Sequence, residues 1–170
     1  METGRVVERL HVAVIGGGHA PDHECDTAAR VGRALAEAGA VVVCGGLGGV
    51  MEAASRGARD GGGVSIGLLP GADRHNANGY VEVAVATGMG EGRNVLVVRN
   101  ADAVIAVGGE YGTLSEIALA LQAGVPVVGI GTWELGKAGR AVDGVEVATD
   151  PSDAVDKALR AAHRYRRGGD

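Results

Sequence analysis

"DAVIAVGGEYGTLSEIALALQAGVPVVGI", residues 102–130, is the stretch on which the fold turns. Its first apolar run, 103–107, shows no polar alternation and ends in Gly108 and Gly109. Small and apolar residues then recur at helical spacing from Gly112 to a glycine stop at Gly124, and a second unalternated run, 125–130, follows. Strands that are apolar on both sides belong to parallel sheets covered on both faces, and a helix between two of them is the crossover such a sheet requires.

The same alternation extends in both directions. "LHVAVIGGG" (10–18), "AVVVCGGLGG" (40–49) and "GVSIGLLPG" (63–71) read as strands ending in glycine or proline, with helices predicted over 22–39 and 50–62 between them. "ADRHNANGY" (72–80) is polar and turn-rich, a surface loop placed to cover a site, and it leads into the strand "VEVAVAT" (81–87). "MGEGRNVLVVRNA" (89–101) fits a helix, "GVEVAT" (144–149) a short last strand, and 150–167 a final helix with Asp150 before Pro151 as its cap. The expectation is one domain over residues 1–170, with 165–170 a frayed tail. Its fold is α/β, a doubly wound, mostly parallel, Rossmann-like sheet with helices on both faces. Ligands of such sheets bind beyond the carboxyl ends of the strands. The glycines cluster at those ends, at 16–18, 45–49 and 108–112.

Composition narrows the partners. Hydrophobic residues make up 46% and charged residues 22%, and no apolar run approaches the roughly 20 residues of a membrane span. No secretory signal is visible, so a soluble, cytoplasmic protein with no membrane partner is expected. A formal charge of -5, no Phe, one Trp and three Tyr argue against a nucleic-acid surface, which needs a basic face and stacking platforms. Cys25 and Cys44 fall in different elements without a CxxC, and are expected as reduced thiols.

Several motifs fall short. "GGGHAP" has Gly16 and Gly18 of a dinucleotide fingerprint but Pro21 where its third glycine belongs; Gly16, Gly17 and Gly18 form either a phosphate approach or a sharp turn. His19 and His23 lack a third ligand and a common helix, so no metal is expected. "GTWELGKA" (131–138) imitates a P-loop, but Ala138 stands where Ser or Thr must hold magnesium, so it reads as a loop. The chain has two lysines, Lys137 and Lys157, which speaks against an imine-forming cofactor enzyme.

"GGEYGTLSE" (108–116) is different. Gly109 and Gly112 let backbone amides approach an anion, Thr113 adds a hydroxyl, and a helix N-terminus supplies unpaired donors. Glu116 either faces that crevice or closes a TxxE capping box with Thr113. Arg93, at the start of the preceding helix, reaches the same sheet edge, where it can clamp a phosphate or orient Glu116; alone it would be a surface arginine.

These residues resemble the LOG ("lonely guy") family, in particular its bacterial LOG-like nucleotide-binding branch, once labelled lysine decarboxylase-like. The family pattern is Arg-Lys, a strand, then PGGxGTxxE. Arg93, Gly109, Gly112, Thr113 and Glu116 match it, while Asn94 replaces the lysine, Gly108 the proline and Glu110 the second glycine. "CGGLGGVMEAA" resembles the family's second glycine-rich segment through Gly49, Val50 and Met51, with Glu52 in place of its last glycine, and the likeness covers most of 10–130. The resemblance implies a nucleoside 5'-monophosphate phosphoribohydrolase, releasing free base and ribose 5-phosphate without metal or cofactor. Arg93 and Glu116 would act on the ribose. Gly16, Gly17, Gly18, Gly45, Gly46, Gly49, Met51, Gly109, Glu110, Tyr111, Gly112 and Thr113 would hold the substrate and its phosphate. It also implies a homodimer or higher homo-oligomer, which the apolar "NVLVV" helix permits. Molybdenum-cofactor carriers share this fold without hydrolysing anything, and Glu110 with the missing lysine is compatible with such a carrier or with a nucleotide sensor.

Overall fold

Val12, Val14, Ala103, Ile105 and Val107 point to one face of a sheet, and Ala13, Ile15, Val104 and Ala106 to the other; all are buried. A sheet apolar on both faces must be covered on both. The computed structural model describes residues 8–168 and shows how. Seven parallel strands, β1 (His11–Gly16), β2 (Val41–Cys44), β3 (Ser65–Leu69), β4 (Val83–Ala86), β5 (Ala103–Val107), β6 (Val127–Ile130) and, after a short hairpin, β9 (Val145–Val147), line up as β4-β3-β2-β1-β5-β6-β9. The hairpin pairs β7 (Gly136–Lys137) with β8 (Arg140–Ala141) antiparallel.

Helices α1 (Asp22–Glu37), α2 (Val50–Asp60) and α5 (Pro151–Arg167) cover the first face, and α3 (Arg93–Arg99) and α4 (Tyr111–Gln122) the second. The Rossmann-like reading therefore holds. From β1 the chain winds outward through α1, and from β5 it winds the other way through α4, so the switch point lies between these adjacent strands. Their carboxyl ends diverge there and open a crevice.

Glycine sets the thickness of the first layer. A Cβ on Gly32 of α1 would stand 3.0 Å from the Ala54 Cα, and one on Gly57 of α2 3.0 Å from the Ala29 Cα. The helices touch backbone to backbone. The Asp150 cap forms as expected, its carboxylate accepting from the Asp153 N–H at 2.9 Å.

Two expectations change. The frayed tail expected from residue 165 is helical through Arg167, because Arg166 Nε donates to Asp102 at 2.8 Å and its Nη2 to the Arg9 carbonyl at 2.7 Å; residues 169 and 170 lie outside the described residues. The 72–80 loop does not line the crevice. Asn78 instead straps the glycine loop after β2, its N–H donating to the Gly46 carbonyl at 2.9 Å and its amide to the Leu47 carbonyl at 2.9 Å.

Candidate functional site

α4 begins at Tyr111, with Glu110 as N-cap, and no side chain caps it. Thr113 is therefore inside the helix and Glu116 more than a turn in, so the capping-box alternative falls away. The first N–H groups of α4 keep their hydrogen-bonding capacity and the positive end of the helix dipole. They open on a cleft of about 450 Å³ at the switch point.

The glycine turn before α4 follows from its surroundings. Gly108 has φ of 53°, which proline cannot adopt, and the Glu24 carboxylate occupies the space a Cβ would need. The proline of the LOG pattern thus has no room in this chain. Gly109, with φ of 94°, packs under Thr113, where a Cβ would stand 2.5 Å from the Thr113 Cβ.

At the cleft floor stand Arg93, 8% exposed, and Glu116, 7% exposed. Arg93 is not the surface residue its type would lead one to expect. Its Nη1 donates to Asn94 Oδ1 and lies 3.9 Å from Glu116 Oε1, an ion pair too long for a hydrogen bond. Among the described residues, Arg93 Nε is the one buried side-chain polar atom without a partner. Burial pushes the Glu116 carboxyl up to about 7, with Arg93 opposing the shift. Its protonation thus changes near neutrality.

The cleft gathers Gly16, Gly17, Gly18, Gly45, Met51, Arg93, Glu110, Gly112, Thr113 and Glu116 of the expected set. Four others stand outside its lining. Gly46 packs against Leu69; Gly49 borders a smaller pocket beside Cys25 and Arg56; Gly109 faces the β6 side; Tyr111, 77% exposed, meets Trp133 with ring centroids 5.5 Å apart. Sequence reasoning missed His19, Leu47, Pro70 and Glu91 as lining residues, of which Pro70 and Glu91 carried no signal beyond following a strand or preceding Arg93. Among the described residues no group of three or more metal-ligating side chains comes together. Lys137 of the P-loop imitation is exposed on the hairpin, and the chain continues from it into strands β8 and β9 rather than directly into a helix. Cys25 and Cys44 are free, and burial pushes both thiols up.

Residues 9–156 match the SLOG cluster4 family. The chain belongs to that family. An uncharacterised protein of Archaeoglobus fulgidus is 39% identical to this SLOG protein over 153 residues, covering 90% of the chain and 97% of the relative. The structure of the molybdenum cofactor binding protein of Rippkaea orientalis is similar with a TM-score of 0.83 and 33% identity, covering 91% of this chain and 98% of its own. The molybdenum cofactor carrier protein of Chlamydomonas reinhardtii gives 0.80 and 30%, covering 92% and 99%. The LOG-like resemblance of Arg93 and 108–116 agrees with this membership. No described helix is long and apolar enough to cross a membrane.

Proposed function

We propose that this SLOG protein binds a phosphate-bearing organic molecule of molybdenum-cofactor type, a phosphorylated pterin, and holds it intact. The observation that carries this reading is the uncapped start of α4 opening on the same cleft as Arg93, whose Nε has no partner. An anion there meets helix amides, the Thr113 hydroxyl and a guanidinium. Likeness to the molybdenum cofactor binding and carrier proteins over nearly their whole length supports the pterin.

This reverses the order expected from sequence, where hydrolysis of a nucleoside monophosphate came first. The physical ground is Asn94. It spends its side-chain oxygen on Arg93, so no second cation from this position reaches the ligand. Hydrolysis remains the second reading because of Glu116: a carboxyl that titrates near 7 suits general acid–base work beside a ribose.

Mass spectrometry of the ligand released by heat from freshly purified protein tests both. A pterin phosphate or its oxidation product is expected, and incubation with AMP, GMP, CMP or UMP should release no free base. Base release that is lost in Glu116→Gln would overturn the carrier in favour of the hydrolase. A homodimer accompanies the proposal, supported by exposed Val83 and Val85 on the edge strand β4 and Val95 on α3. Light scattering should give twice the chain mass, and a monomer would refute it.

A further inference from the structure

Cation supply and demand at the cleft floor do not match. Arg93 is the only Lys or Arg among the residues lining the cleft, and its guanidinium already serves Asn94 and lies 3.9 Å from Glu116. The other ionisable groups on the lining are acids, Glu91 before α3 and Glu110 at the start of α4, and His19 from the loop after β1. From the sheet, the buried thiol of Cys44 turns to Ser55 of α2, 3.5 Å away, and senses the charges of Arg93 and Glu116 without facing them. A ligand phosphate entering this cleft adds further negative charge beside Glu116, and Arg93 is the one Lys or Arg on the lining that both can share. Glu116 is 7% exposed, so water cannot screen the repulsion.

We propose that the cleft takes up its anionic ligand together with one proton, which is held on Glu116. Protonation removes the like charge and turns the carboxyl into an O–H donor aimed at an anion oxygen, while Arg93 is released from carboxylate to anion. The inference rests on the anion-binding reading above and adds its regulation: a shift to lower pH loads the cleft and a shift to higher pH empties it.

The sign follows from the free cleft, where Glu116 titrates at about 7. Below that pH the carboxyl already carries its proton, so binding takes up none and affinity is flat. Above it, binding must draw the proton from solution, and affinity falls by up to about tenfold per pH unit. Inorganic sulfate is the right probe, because it stays a dianion throughout and contributes no proton of its own.

Calorimetric titration of the full chain with sulfate at pH 6, 7, 8 and 9, in buffers of different ionisation enthalpy, reads the proton count directly. Uptake should rise from near zero at pH 6 to near one at pH 8. It should vanish in Glu116→Gln, with sulfate binding retained, and persist in His19→Gln. Binding with no proton uptake, or uptake that survives in Glu116→Gln, overturns the inference and leaves the anion site standing. Failure of the wild-type protein to bind sulfate at any pH overturns the anion-binding reading and this inference with it.

Discussion

Glycine does two separate jobs at this site, and substitution separates them. Gly45 has a structural role: a Cβ there would stand 2.6 Å from Arg93 Nη2 and 2.6 Å from Met51 Sδ. Gly45→Ala must therefore push the guanidinium off the cleft floor. Both colliding atoms are the far ends of flexible side chains, so the stability loss should stay below the ~1–3 kcal/mol of core overpacking in denaturant unfolding, while anion binding weakens. Gly112 lines the same cleft, yet nothing lies within 4 Å of its position for a Cβ. Gly112→Ala places a methyl in the space reserved for ligand, at a helix position where alanine is favoured over glycine by up to about 1 kcal/mol. Unfolding midpoints should hold or rise while anion affinity falls. Unchanged affinity would show that the anion does not approach α4 at this point.

At the scale of elements, the two faces of the sheet are built differently. α1 and α2 meet through Gly32 and Gly57, and a Cβ at either would overlap the backbone carbonyl of the facing helix. Backbone cannot yield as a side chain does. Gly32→Ala is expected to destabilise by more than about 2 kcal/mol in urea unfolding, although alanine improves helix propensity at the same position. A neutral or stabilising outcome would mean that the helices can separate cheaply. The consequence reaches the site, because α2 itself carries Met51 and starts directly after the glycine loop that carries Gly45, and the Val50 N–H donates to the Gly17 carbonyl at 3.0 Å. Moving α2 moves two walls of the cleft.

For the molecule as a whole, Glu116 makes stability depend on pH. Its folded value of about 7 lies above the ordinary 4.5, so between these values the native state holds the proton more tightly than the unfolded chain. Stability is therefore undiminished below pH 4.5, falls as pH rises from there, and has lost the full contribution above about pH 7. The loss is on the order of 3 kcal/mol by the usual conversion of pKa shift to free energy. Glu116→Gln should remove this slope, so that at pH 8 the variant unfolds at higher denaturant than the wild type, with little difference at pH 5. Identical pH profiles for the two proteins would refute the burial penalty. A carboxyl kept at this cost in the ligand-free fold is consistent with a role that stability alone does not supply.

Residue periodicity alone determined the architecture. The unalternated runs 103–107 and 125–130 around one helical segment can be buried only in a parallel sheet, and glycine after each strand placed the crevice at the carboxyl edge. Arg93 and Glu116 were also legible, through the motif spacing that the 108–116 segment shares with its family. What the chain order did not carry was environment. The tail at 165–167 is held to the body by Asp102 and the Arg9 carbonyl, both distant in sequence, which receive Arg166. Gly108 excludes proline because the turn after β5 holds it at a φ of 53°, with the Glu24 carboxylate of another helix lying against it. Above all, the Glu116 carboxyl is ordinary in the sequence and becomes a group titrating near neutrality only when the folded layers shut water away from it and leave it a single guanidinium at 3.9 Å. Periodicity is local and survives in one dimension, whereas desolvation and charge pairing depend on which surfaces meet, and only the tertiary fold decides that.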